Sequence, residues 1–419
     1  GIVGRSGLRI IRWYDISQEV LKRKAEKEFR NRDTIGHVRT LRRLFFNAVN
    51  LRLRSDVRVG SCLSGGIDSS SVVSVATRLL PQETEDIFQT YSAVYGSWFN
   101  EDERKYIEML SSKTRTNSNF VTPTLPNFKD QFSHFIYHQE EPVTSPSPYS
   151  QLCVMKLAHS DGTKVLLDGQ GADEILAGYD YMLGYYLAEL LQGKKLWRLI
   201  KEIFMAIRRR NSFAIKSFIY QFLPKAMQRR LAPKTHRFLA REFGERYTNR
   251  HLVENLLYLD RSLESASINH IRFKLQHLLR WEDKNAMAFS IETRVPFLDH
   301  NLVTYVISLS SELKIRGGYT KWILRRAVED LLPRSIRLRT DKIGFAAPEH
   351  LWINQSTESF LQNLKTCEHP LLKKYVDINE LRTFLENRRG SLEIDTCRIL
   401  FRVMCLYQWL KVFFNGVTC

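Results

Sequence analysis

Apolar positions give the first outline of this chain. From Thr34, the residues Leu41, Leu44, Phe45, Ala48, Val49 and Leu51 fall on one helical face. An extended run with Val57, Val59 and Leu63 follows, and a second helix pattern starts at Ser69 with Val72, Val73, Val75 and Ala76. Extended and helical runs then alternate: 87–94 extended, 102–111 helical, 119–121 extended, 128–138 helical, 150–159 helical, 163–167 extended and 173–191 helical. Such alternation predicts an α/β fold with a doubly wound, mostly parallel sheet over 34–193. Ligands then bind at the carboxyl ends of strands, so the turns after Leu63, Val94 and Leu167 should meet at one site.

Beyond residue 193 the pattern changes. Residues 194–250 predict amphipathic helices punctuated by Arg208-Arg209-Arg210 and Arg229-Arg230, a basic helical insertion with a solvated face. Helical spacing dominates 251–419, giving an extensive C-terminal helical part with no internal repeat. The apolar stretch Ile399–Val417 is broken by Arg402 and Lys411, which favours a packed helix over a membrane span. Residues 1–33, with the charged run Lys22–Arg32, read as a linker or approach segment.

Composition narrows the class. The chain has 419 residues, 43% hydrophobic and 26% charged, as expected of a globular protein. Cys62, Cys153, Cys367, Cys397, Cys405 and Cys419 have neither metal-site nor disulfide-framework spacing, so reduced thiols and a cytoplasmic location are expected. The net charge of +18 suits anionic substrates. No RNA-binding module is recognisable, so a nucleic-acid partner is not expected.

Chemistry concentrates first in Ser64-Gly65-Gly66-Ile67-Asp68-Ser69-Ser70, a strand, a tight turn and a helix N-terminus. The glycines permit close backbone approach, and the free amides and positive dipole end suit a phosphate. No lysine follows as a Walker A loop requires, and Cys62 stands where a nucleophile elbow needs glycine. The second concentration is Leu166-Leu167-Asp168-Gly169-Gln170-Gly171-Ala172-Asp173-Glu174 with Tyr179. Glu174 replaces the third glycine of a dinucleotide fingerprint, and Ala172 occupies a ligand position of an EF-hand loop.

The first loop resembles the pyrophosphate loop of the ATP-pyrophosphatase superfamily. The second motif resembles a signature of the asparagine synthetase family. So do Glu140-Glu141-Pro142, Asp283-Lys284-x-Ala286-Met287-Ala288, and Glu292-Thr293-Arg294-Val295-Pro296-Phe297-Leu298-Asp299. Lys321-x2-Leu324-Arg325-x-Ala327 and Lys342-x-Gly344-Phe345 complete the set. The resemblance is to the C-terminal synthetase domain, with a helical part over 251–419 completing the site. The family's N-terminal glutaminase domain has no counterpart here, and the start at Gly1 fits a linker from such a domain.

The resemblance implies a substrate carboxylate, aspartate in the namesake enzymes, that attacks the α-phosphate of ATP. Ammonia, delivered from a glutaminase domain, then converts the acyl-adenylate to an amide. ATP and Mg²⁺ are the implied cofactors, and a homodimer is left open. Carried onto this sequence, Leu63, Ser64, Gly65, Gly66, Asp68, Ser69, Ser70, Val94 and Gly169 contact the nucleotide, and Asp68 and Asp173 hold Mg²⁺. Lys342 stabilises charge during adenylation, while Tyr179 and Gln170 are candidates for orienting the reacting groups. Glu292 and Arg294 are structural or shape the substrate site. Many family members carry Glu where this chain has Gln170, and Gln cannot accept a proton at neutral pH. That substitution keeps open amidation or cyclisation of another carboxylate, in a surface polysaccharide or natural product. The first loop alone also admits a tRNA-modifying pyrophosphate-loop enzyme, against which the three downstream motifs argue.

Overall fold

A computed structural model describes residues 2–4, 7–9, 12–80, 87–96, 98–99, 102–224, 227–228, 231, 237–247, 262–340, 347–366, 369–387 and 390–414. Lys342, Gly344, Phe345, Arg229 and Arg230 lie outside them. Strands β1 (Ile2–Gly4) and β2 (Gly7–Arg9) form an antiparallel hairpin. The central sheet comprises β3 (Val59–Cys62), β4 (Phe88–Ala93), β5 (Thr116–Val121), β6 (Val165–Leu167) and β7 (Glu292–Arg294). Its order is β5-β4-β3-β6-β7, and every pairing in it is parallel.

The chain steps outward from β3 to β5, then returns to place β6 on the other side of β3. That reversal opens the ligand crevice of a doubly wound sheet between β3 and β6. Both faces are covered, as parallel sheets require. On one side Val72, Val73, Val75 and Ala76 of helix Ile67–Leu79 join Phe45, Val306 and Ile323 in a dry core. On the other, Val154 and Met155 of helix Ser147–Ser160 pack with Tyr91, Leu166 and Ala286.

Three segments differ from the periodicity. The stretch 173–191 is two helices, Ala172–Ile175 and Met182–Gln192, because Ala177 adopts a left-handed φ of 56° and Gly178 N–H donates to the Asp173 carbonyl at 2.8 Å. Residues 292–294 form edge strand β7. Within 1–33, helix Ile16–Ala25 packs on helix His300–Ser308, burying Ile16 and Val20, while Phe29 also enters the core.

The C-terminal helices share a second core with Phe128, Phe135 and Tyr149. Helix Ile394–Phe413 buries Leu400, Phe401, Cys405 and Tyr407 against the helices over 125–139 and 349–366. No helix among the described residues is long and apolar enough to cross a membrane. Within 194–250, helix Leu196–Arg208 buries Leu199, Glu202 and Ala206 but exposes Trp197, Ile200, Phe204 and Ile207. Its outer face is therefore apolar as well as basic.

Candidate active site

The turn after β3 carries the candidate phosphate loop, residues 64–70. Gly65 adopts φ of 72°, and a side chain there would meet Tyr106 and the Glu103 carbonyl at 3.0 and 3.2 Å. Ser69 Oγ accepts from Ser64 N–H at 3.1 Å and lies 3.1 Å from Ser64 Oγ, which holds the loop in a tight ring. Helix Ile67–Leu79 begins immediately, so its first amides point out of the turn without intrahelical acceptors. Ser70 Oγ is buried and has no hydrogen-bond partner among the described residues. A phosphate oxygen would satisfy both the hydroxyl and the amides.

The turn after β6 fits closely beside it. A Cβ on Gly169 would stand 2.9 Å from Ser69 N and 3.1 Å from Asp68 Cβ, so only glycine allows the two turns to touch. Leu63 and Val94 sit where their strands end: Leu63 N–H donates to the Tyr91 carbonyl, Ser92 Oγ donates to the Leu63 carbonyl, and Val94 N–H donates to the Val121 carbonyl. Thus the turns after Leu63 and Leu167 are brought together, with Val94 one strand away.

At the meeting point lies a residue the expected site omitted. Lys321 is 1% exposed, and its Nζ is 2.5 Å from Asp68 Oδ2 and 2.6 Å from Asp173 Oδ1. Gly178 makes room: a Cβ there would come within 1.9 Å of Asp173 Oδ1 and 2.1 Å of Lys321 Cε. One ammonium therefore bridges the two acids expected to hold Mg²⁺. Two carboxylates converging beside a phosphate loop fit that ion, which takes few protein ligands and completes its shell with phosphate oxygens and water. No cluster of three or more metal-ligating side chains occurs among the described residues.

Tyr179 and Gln170 stand nearby in different settings. Tyr179 donates its hydroxyl to Glu174 Oε1 at 2.5 Å, and Lys274 Nζ lies 3.5 Å above its ring. Burial and the neighbouring Glu174 hold the Tyr179 phenol far above its ordinary range, so it acts as a donor. Burial, with Asp173, also raises Glu174. Tyr181 donates to His270 Nε2 at 2.7 Å, and burial lowers His270 to about 4, leaving it neutral. Gln170 is only partly buried, and its N–H donates to Asp168 Oδ1 at 3.1 Å.

Asp168 and Glu282 form a buried acid pair beneath that turn. Burial lifts Asp168 to about 6, and burial with Asp168 beside it lifts Glu282 well above the usual carboxylate range. Cys62 shares the cluster, and burial raises its thiol. The folded protein binds the Asp168 proton more tightly than an unfolded chain with the ordinary value of 3.8. This group's contribution therefore favours folding below about pH 4 and is lost as pH rises through 6. We expect Asp168→Asn to gain stability relative to the parent across that window in urea titrations. Parallel pH curves for the two proteins would contradict it.

Other motif residues serve the scaffold. Arg294 donates to the Arg52 and Arg54 carbonyls at 2.8 and 2.7 Å and pairs with Glu292 at 2.6 Å, tying β7 to the end of helix Thr34–Arg52. Glu140 and Glu141 pair with Lys284 and Arg280 at 2.7 and 2.8 Å. The described cysteines, Cys62, Cys153, Cys397 and Cys405, are free thiols.

Comparison with known proteins identifies the family. The asparagine synthase family model matches residues 40–411. Asparagine synthetase [glutamine-hydrolyzing] 1 of Bacillus subtilis is 27% identical over 398 residues, covering 90% of this chain and 59% of that protein. Asparagine synthetase [glutamine-hydrolyzing] 3 of the same organism is 25% identical, covering 93% and 60%. Amidase chyE of Penicillium rubens is 26% identical, covering 83% and 58%. The chain thus spans about three fifths of the length of these relatives. With a family match over most of its length, this chain belongs to the asparagine synthase family.

Proposed function

We propose that this chain is a carbon–nitrogen ligase that activates a carboxylate by adenylation and passes the acyl group to an amine nitrogen. The observation that carries the reading is Lys321, buried between Asp68 and Asp173 against the phosphate loop. The loop amides and Ser70 Oγ hold the β- and γ-phosphates of ATP, with Leu63, Val94 and Gly169 along the nucleotide. Asp68 and Asp173 would hold Mg²⁺, which when bound would supply neutralisation of phosphate charge. A substrate carboxylate oxygen attacks the α-phosphorus and the bond to pyrophosphate breaks. Lys321 offsets the charge gathering on the leaving group. Lys342 adds a second cation in this reading. The amine then attacks the acyl carbon and AMP leaves, its surplus proton passing to a base.

The preferred substrates are aspartate and ammonia, the latter supplied by glutamine hydrolysis, in a cytoplasmic enzyme. The family match and the names of the relatives support this choice. Incubation with ATP, Mg²⁺, aspartate and ammonium should yield AMP, pyrophosphate and asparagine in equal amounts; ADP and phosphate would overturn adenylation.

A second reading shares the chemistry and changes the substrate. Gln170 can hydrogen-bond the incoming amine but cannot take its proton, which favours an acceptor whose amine is deprotonated by another group. Amidation or cyclisation of a different carboxylate then becomes the reaction. Release of AMP that does not depend on aspartate, but does on another acid, would select it.

A further inference from the structure

We propose that the basic insertion forms the outer wall of the pyrophosphate site, with Arg210 as an anion-binding residue. The proposal rests on the adenylation reading and adds to it a residue outside the family motifs.

A cavity of about 330 Å³ opens over the phosphate loop. Gly66, Ile67 and Lys321 line it, and so do Arg209 and Arg210 from the insertion and Arg325 and Arg339 from beyond Lys321. One acid, Asp180, faces these five cations, and it accepts from Asn211 Nδ2 at 3.3 Å. Such a wall selects a polyanion. The helix N-terminus at Gly66 and Ile67 makes phosphate the matching chemistry.

The insertion is fixed to the site rather than draped over it. Glu202, 3% exposed, accepts from Gly317 N–H at 2.9 Å and Gly318 N–H at 2.8 Å. Arg209 Nε donates to the Gly317 carbonyl at 3.0 Å, and its guanidinium lies 3.4 Å above the Tyr319 ring. These contacts hold the turn that leads directly into Lys321. A shift of helix Leu196–Arg208 would therefore move the ammonium between Asp68 and Asp173.

Within this wall the cations are committed to different degrees. Lys321 pairs with its two acids, and Arg339 with Glu103 at 2.5 Å. Arg325 donates to the Thr320 and Arg337 carbonyls. Arg210 has no carboxylate partner among the described residues. Its backbone is left-handed, φ 55°, closing the helix with bonds from Arg210 N–H to the Ile207 carbonyl and from Asn211 N–H to the Ala206 carbonyl. Glycine is the favoured residue for that closure. An arginine there places a long cationic side chain at the mouth of the cavity. As the α-phosphorus bond breaks, charge accumulates on the departing pyrophosphate, and Arg210 is placed to receive it.

The test is ATP–pyrophosphate exchange with a carboxylate that supports it, comparing the parent with Arg210→Gly, Arg210→Lys and Arg208→Ala. Arg210→Gly removes the charge while relieving the backbone, so it should fold. The proposal expects its KM for pyrophosphate to rise about tenfold, the effect of one charge-assisted hydrogen bond. KM for the carboxylate should stay within about twofold, Arg210→Lys should recover most of the loss, and Arg208→Ala should match the parent. A rise in the carboxylate KM instead would assign Arg210 to the acyl substrate, and no change in either would make it a surface cation; both results overturn the proposal. If the parent shows no exchange with any carboxylate, the adenylation reading fails. Calorimetric titration with magnesium pyrophosphate then decides Arg210 separately, by weaker binding to Arg210→Gly than to the parent or by equal binding.

Discussion

Replacing Lys321 with methionine should lower ATP–pyrophosphate exchange by about a thousandfold, more than any other single substitution outside the phosphate loop. The ammonium is the counter-charge for two acids packed within 2.6 Å of it. Losing a preorganised donor aimed at developing charge costs about 10²–10³ in rate. Here the same substitution also leaves Asp68 and Asp173 facing each other in a largely buried site. Breaking a buried pair in this way costs about 3–5 kcal/mol of stability, so the melting temperature should fall as well. The two effects can be separated. Millimolar Mg²⁺ should raise the melting temperature of Lys321→Met more than that of the parent, because the cation then binds the carboxylates without competition from the lysine. Full exchange activity in the variant would remove Lys321 from the site.

Gly178→Ala should be the most damaging change of a single methyl group. Its Cβ would fall 1.9 Å from Asp173 Oδ1, 2.1 Å from Lys321 Cε and 2.8 Å from Lys321 Nζ. Clearing them shifts the ends of the Lys321 and Asp173 side chains, the groups that form the pair. Displacing a catalytic constellation by about 1 Å can cost about a hundredfold in rate, and overpacking a filled site costs about 1–3 kcal/mol. Gly244→Ala is the control: nothing lies within 4 Å of its added Cβ, so activity and stability should stay near those of the parent. Steady-state rates and thermal melts of both variants test the pair. Equal behaviour of Gly178→Ala and Gly244→Ala would contradict the assigned geometry.

Much of the sheet and part of the candidate site were legible from local sequence. The loop from Ser64 to Ser70 and the acids Asp68 and Asp173 announce themselves because glycine, hydroxyl and carboxyl groups cluster at strand ends, where a packed core has no use for them. Lys321 did not, although it stands in a recognised motif. Its contact with Asp68 spans 253 positions and exists only once the strand order places the two turns side by side. Gly178 is hidden for a related reason, since its role is the space it leaves for two distant side chains.

The helix over 173–191 looked continuous because its apolar spacing is continuous, whereas the break at Ala177 and Gly178 serves the contact with Lys321. The strand over 292–294 is short and lies at a sheet edge, where Arg294 anchors it to backbone carbonyls rather than to a core. Charge alone also misled about the insertion. Arg208, Arg209 and Arg210 form one run in the sequence, but Arg209 stacks on Tyr319 and, with Arg210, faces the cavity beside Lys321.

The most direct measurement follows oxygen. With the two carboxylate oxygens of the acid substrate labelled with ¹⁸O, turnover with ATP and amine should place one label in the phosphoryl group of AMP for every amide formed. That transfer requires the carboxylate to have been bonded to the α-phosphorus. Unlabelled AMP accompanying amide formation, or label appearing in inorganic phosphate beside ADP, would contradict an acyl-adenylate and with it the central claim.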